Sequence, residues 1–141
     1  MIQSELYRDI LEVLPILCID LVIQNEDGEY LLTKRKNEPL KGEWWVIGGR
    51  VFKGETLEEC ARRKISEELS INIGSLECIG YYEDQFDKGP FEIKSNLHTL
   101  AVVFKAVIDK NDKINLDSQS SEWKFSDKLP ERFLVKPFGN V

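Results

Sequence analysis

A chain of 141 residues with 42% hydrophobic and 31% charged residues is the size of one ordinary domain, able to bury a core without disulfide or metal staples. Its net charge of -6 excludes the broad basic surface that nucleic-acid binding needs; the small cluster Lys34, Arg35, Lys36 and Lys41 suits a phosphorylated small molecule instead. Cys18, Cys60 and Cys78 have no metal-ligand spacing and read as reduced thiols inside apolar patterns.

In chain order, Leu6, Tyr7, Ile10, Leu11 and Leu14 follow the spacing of an amphipathic helix over residues 4–14, with Ser4 as cap and Pro15 as stop. Glu5, Arg8, Asp9 and Glu12 interrupt any signal-peptide core, and Pro15 and Asp20 break the most apolar run. A cytoplasmic protein with no membrane segment is the expectation. Ile16 to Gln24 reads as a central strand buried on both faces, Asn25 to Gly28 as a turn and Glu29 to Lys36 as a second strand. Pro39 to Glu43 is a loop, and Trp44 to Ile47 a short strand ending at Gly48-Gly49, a glycine-rich loop that feeds a helix. Strands follow at Leu76 to Phe86 and Leu97 to Ile108, separated by an exposed loop, then a short strand at Glu122 to Phe125 and a helical or irregular tail. The expected fold class is α/β (α+β), one domain with a mixed sheet covered by helices.

Asp20 falls inside the first apolar strand, where a carboxylate is costly unless it is paired or used. It is either the structural partner of a nearby arginine or a group pointing into an active site. Trp44 and Trp45 point to opposite faces of their strand and read as core and wall or as a stacking site.

Thr56-Leu57-Glu58-Glu59 is a capping box that starts a helix at Thr56. With about 100° per residue, Leu57, Cys60, Ala61, Ile65 and Leu69 form its buried face, and Lys64 and Glu68 fall inside that face. Glu58 and Glu59 belong to a solvated face. Glu68 does not, and with Glu67 beside it, it needs a neutralising partner, for which a hard divalent cation is suited. Gly48 and Gly49 would let a backbone carbonyl approach the same ion.

The spacing Gly49, five residues, Glu55, seven residues, Arg63, then Ile65, Glu67-Glu68 and Ile71 resembles the Nudix box. That family spells a glycine, five residues, glutamate, seven residues, arginine-glutamate, an aliphatic, any residue, two glutamates, any residue, glycine and an aliphatic. The resemblance implies the Nudix fold, a mixed sheet between helices, and hydrolysis of a nucleoside diphosphate linked to another group with Mg²⁺ or Mn²⁺. It implies that Glu67 and Glu68 hold metal and that Glu55 and Arg63 form an ion pair positioning loop and helix. Ser70 replaces the box glycine. Lys64 replaces a glutamate that is often the base, and its ammonium lies on the face of Glu67 and Glu68. Fewer bound metals and another source of nucleophile activation are therefore expected.

Outside the box, Pro15 to Glu58 is similar to the GDP-mannose mannosyl hydrolases, which also lack that glutamate. The shared residues include Asp20, Gly28-Glu29, Leu31-Leu32, Lys34-Arg35, Pro39, Gly42, Trp44, Val46 and Gly48-Gly49-Arg50. By position, the resemblance implies that Gly48 offers its carbonyl to the metal with Glu68 and Gln119. Arg35 would stabilise the leaving diphosphate, Asp20 would assist at the sugar, and Arg50 and Trp44 would join Arg35 in binding substrate. The general-base histidine of those enzymes falls at Ser120, which cannot take a proton unaided. His98, Asp117 and Glu122 are the other candidates, His98 being otherwise structural.

Three readings stay open: a nucleotide-sugar hydrolase attacking carbon, a pyrophosphohydrolase attacking phosphorus on ADP-ribose or a nucleoside triphosphate, and an inactive nucleotide-binding module. The N-terminal helix and the dimerising habit of the subfamily imply a homodimer.

Overall fold

The computed structural model describes residues 3–109, 112, 114 and 122–139. Helix α1 (Ser4–Val13) leads into β1 (Ile16–Gln24), the strand around which the sheet is built. β1 runs parallel to β6 (Leu97–Val107) from Ile16 opposite Thr99 to Gln24 opposite Val107. On its other side it meets β4 (Ile47–Arg50) antiparallel over Cys18 to Leu21, and β2 (Tyr30–Lys34) at Gln24. β5 (Glu77–Phe86) pairs with β6, while β3 (Trp44–Trp45) and β7 (Trp123–Ser126) pair with β2. One parallel pair among antiparallel ones makes the mixed sheet that the sequence predicts.

Residues alternate between faces along a strand, and β1 uses both. Ile19, Leu21 and Ile23 pack with Cys60, Ala61, Ile65 and Leu69 of α2 (Leu57–Leu69). Val22 packs on the opposite face with Trp45, Tyr82, Val103 and Phe133. A strand covered on both sides needs a nearly continuous apolar run, which explains its composition. Leu11 of α1 joins Phe86 and Leu97 at the end of that second face. The sheet therefore lies between α2 and a layer made of α1 and the irregular C-terminal tail. The tail is fixed by Arg132, whose Nη2 donates to Asp84 Oδ1 at 2.8 Å, and by pairing of Lys136 with Tyr81.

Several boundaries differ from expectation, each for a local reason. The Asn25 side chain accepts from the amides of Asp27 and Glu29 at 3.0 and 2.9 Å, so Glu29 belongs to the turn and β2 starts at Tyr30. Gln3, not Ser4, is the N-cap of α1, and it makes no side-chain capping bond. Trp44 to Ile47 is not one strand, because the chain breaks at Val46. Gly48 and Gly49 are not in a loop but in β4, opposite Asp20 and Ile19. Their lack of side chains is what admits the strand: a Cβ on Gly48 would sit 2.6 Å from the Ile19 carbonyl oxygen and closer still to Asp20 Oδ1. Among the described residues, no helix is long and apolar enough to cross a membrane.

Even if the Asp20 side chain swings aside, the Ile19 carbonyl at 2.6 Å is backbone, so relaxation is expensive. Gly48→Ala is expected to lower the unfolding free energy by about 1–3 kcal/mol, read from urea denaturation; a change near zero would contradict this packing.

Candidate active site on β1, β4 and helix α2

Helix α2 begins as its capping box directs: Thr56 Oγ1 accepts from the Glu59 amide at 3.1 Å. Glu59 returns to the threonine hydroxyl, which donates to its Oε1 at 3.1 Å. Ser70, at φ 57°, takes the left-handed conformation that ends the helix. With the apolar face buried, Arg63, Lys64, Glu67 and Glu68 line one flank.

Arg63 is the hub of that flank. Its Nε donates to Glu55 Oε2 at 2.6 Å and its Nη2 to Glu55 Oε1 at 3.0 Å, the bidentate fork that makes Arg–carboxylate pairs strong. Nη2 also reaches the Arg50 carbonyl at 3.2 Å and Nη1 reaches Glu67 Oε1 at 3.2 Å. Arg63 thus ties the end of β4, the following turn and α2 together. The Arg63 hydrogen bonds, opposed by desolvation and helped by the Phe52 amide, hold the Glu55 carboxyl down at about 2. Arg63 and Arg50 stack on Phe52, with centroid distances of 3.8 and 4.8 Å, and Arg50 also lies 4.6 Å from the Tyr7 ring. One residue on, Lys64 Nζ lies 3.1 Å from Glu68 Oε1 and 3.5 Å from Glu67 Oε2.

Two adjoining cavities open on this framework. One, of about 370 Å³, is bordered by Lys34, Arg35, Lys36, Gly48 and Glu68. The other, of about 390 Å³, has a mainly apolar and aromatic wall that includes Trp45, Tyr82, Phe86 and Phe91, with Asp20 and Arg50 as polar members. Arg35, Asn37, Val46 and Gly48 border both. Burial pushes the Asp20 carboxyl up to about 7, with Arg35 opposing the shift. Burial likewise draws Arg35 down, with Asp20 pushing back, and Arg35 Nε donates to the Pro39 carbonyl at 2.6 Å. The two readings of Asp20 therefore merge, since it faces both an arginine and a cavity. Cys18 and Cys60 are pushed up by burial to about 12 and about 11, which keeps them as thiols.

A model of the NUDIX domain matches residues 15–130. The chain belongs to the NUDIX family. It is 37% identical over 123 residues to the low-salt glycan biosynthesis protein Agl8 of Haloferax volcanii, covering 87% of this chain and 78% of the relative. It is 33% identical over 118 residues to an ADP-ribose pyrophosphatase of Methanocaldococcus jannaschii, covering 83% and 66%. Among solved structures, a MutT protein from Methanosarcina mazei Go1 matches with a TM-score of 0.62 and 27% identity over 79% of this chain and 77% of that one. The chain is thus a Nudix hydrolase.

In this Nudix domain, Asp20, Arg35, Arg50, Gly48 and Glu68 converge on the two cavities, and Glu55 pairs with Arg63. Glu67 turns to Arg63 and Lys64 and borders neither cavity. Trp44 borders neither as well; Lys124 Nζ sits 4.4 Å from its ring, and the cavity wall is Trp45. His98 pairs with Glu83 at 3.4 Å away from both cavities, and Glu122 pairs with Lys34 at 3.7 Å at the rim. Gln119, Asp117 and Ser120 lie outside the described residues. Glu68 and the bare backbone of Gly48 border one cavity, and a carboxylate and a backbone carbonyl are hard oxygen donors of the kind that fit Mg²⁺ or Mn²⁺. Sequence reasoning missed Tyr7 and Phe52. Tyr7 carried only the signal of an apolar helix face, and Phe52 carried none.

Glu55 is depressed, so its contribution to stability is fully present above its ordinary value of 4.5 and is lost as pH falls toward about 2. In Glu55→Gln that acid-side loss should shrink; identical acid-unfolding curves for both proteins would refute the pairing as a stability term.

Proposed function

We propose that the chain hydrolyses a nucleoside diphosphate joined to a sugar, of the GDP-mannose type, releasing the nucleoside diphosphate and the free sugar. The observation that carries this reading is the meeting of a cation-lined cavity holding Glu68 with an apolar cavity holding Asp20, at Arg35 and Gly48. The first suits a diphosphate, the second a group with apolar faces and a few polar ones. The glycan biosynthesis relative from Haloferax volcanii supports a sugar-linked substrate.

Arg35, which borders both cavities, holds the diphosphate and takes up the charge that develops as it leaves, while Arg50 meets the substrate from the wall of the second cavity. Water oxygen bonds to the anomeric carbon, the bond from that carbon to the diphosphate oxygen breaks, and the electron pair departs with the diphosphate. The proton lost by water needs a base. Asp20, with its carboxyl pushed up to about 7, can accept it near neutral pH. Nudix hydrolases generally use divalent metals, and the proposed set is Glu68, the Gly48 carbonyl and Gln119, with Glu67 able to join only by leaving Arg63 and Lys64. An Mg²⁺ or Mn²⁺ ion bound there would neutralise diphosphate charge and polarise the leaving group.

Attack at phosphorus is the second reading, favoured by the pyrophosphatase relative from Methanocaldococcus jannaschii. Hydrolysis of a nucleotide sugar in ¹⁸O-labelled water separates the two: label is expected in the released sugar, and label in phosphate would establish phosphorus attack. Glu68→Gln should lower kcat by about two orders of magnitude or more, and an unchanged rate would remove Glu68 from the metal site. Leu6, Val13 and Leu14 of the N-terminal region are exposed, which supports a homodimer; light scattering should return twice the chain mass.

A further inference from the structure

We propose that Lys64 is a tethered counter-cation that competes with an incoming divalent ion for Glu68, and so sets how tightly the chain holds metal. The inference rests on the metal assignment made above and concerns this chain's own lysine. Lys64 Nζ lies 3.1 Å from Glu68 Oε1 and 3.5 Å from Glu67 Oε2, within reach of both carboxylates.

This is not a mobile surface contact. The Lys64 side chain is 15% exposed and that of Glu68 20%, against 48% for Glu67. Partial burial weakens solvent screening, so the Lys64–Glu68 attraction exceeds that of an ordinary surface pair. The stem is held in place by β4: a Cβ on Gly49 would lie 2.9 Å from both Cδ and Cε of Lys64. Gly49 is thus the gap through which the lysine reaches the carboxylates. Among the described residues, Glu68 is also the one carboxylate on the wall of the polar cavity, where Lys34, Arg35 and Lys36 supply positive charge. A divalent ion entering that cavity must take its share of Glu68 from Lys64 while opposed by three other cations. Glu67 offers little relief, since Arg63 Nη1 already holds it at 3.2 Å. An ammonium on a four-carbon stem is a point charge that can give up one contact without breaking a planar fork, which makes it an exchangeable partner.

The test is Mn²⁺ binding without substrate, following free Mn²⁺ by electron paramagnetic resonance. Wild type is compared with Lys64→Met, which keeps the stem and removes the charge, and with Lys64→Gln in case the methionine variant folds poorly. Lys128→Met, at an exposed position, controls for net charge, and Glu68→Gln for the site. The lysine variants are expected to bind Mn²⁺ at least about tenfold more tightly than wild type, with Lys128→Met unchanged and Glu68→Gln weaker. Equal or weaker binding by both Lys64 variants, with wild type still binding, overturns the role of Lys64 and leaves the metal assignment standing. No Mn²⁺ binding by wild type or any variant overturns the metal assignment, and the inference with it.

Discussion

The close antiparallel pairing of β1 with β4 is the constraint on which the site depends. Its register sets Asp20 opposite Gly48 and Ile19 opposite Gly49, and residues directly opposite each other in such a pair project from the same face. Gly48 therefore presents bare backbone to Asp20, and Gly49 presents bare backbone to Lys64 on the α2 side. The two glycines make β4 a wall one backbone thick. Asp20 and Arg50 stand on one side of it, the acidic flank of α2 on the other, and Gly48 borders both cavities. Side chains at these positions would push the two halves of the site apart.

Charge on the α2 flank is arranged with alternating sign. Glu55, Arg63, Glu67, Lys64 and Glu68 are linked in that order by contacts of 2.6 to 3.5 Å. Such a chain costs less to desolvate than isolated charges, because each member has a partner when water leaves. Asp20 is handled differently: among the described residues it receives no hydrogen bond, and it is balanced only by the field of Arg35. The consequence is a carboxyl held near the middle of its titration at neutral pH, while Glu55 is locked in its charged form. Environment alone pushes the two carboxyls in opposite directions, Asp20 up and Glu55 down.

Much of this was legible because it rests on local pattern. The helical period of Leu57, Ala61, Ile65 and Leu69 located α2 and its buried face, and the capping box located its start. The apolar run Ile16 to Gln24 matched β1 at both ends. The strand character of Gly48-Gly49 was not legible, since glycine has low strand propensity and only pairing with β1 makes a strand of it. Which tryptophan faces the cavity was not legible either. Alternation says that Trp44 and Trp45 face opposite ways, but the sheet partner decides which side is the core. The contact of Arg50 with Tyr7 joins residues far apart in sequence, and no local signal encodes it.

The choice of cation on the α2 flank follows the work each must do. Where the turn after β4 must be held, the chain uses arginine, whose planar fork takes Glu55 through two nitrogens at once and reaches a backbone carbonyl and a second carboxylate with the rest. Loosening that knot would require several bonds to break together. At the proposed metal site the chain uses lysine, which meets Glu68 through one ammonium contact and, among the described residues, leaves the other carboxylate oxygen without a hydrogen bond. Exchanging one point charge for another needs no movement of β4, because Gly49 already gives the stem its path. The site is therefore stiff along the Arg63 contacts and exchangeable along the Lys64 contacts, a division that follows from guanidinium and ammonium geometry.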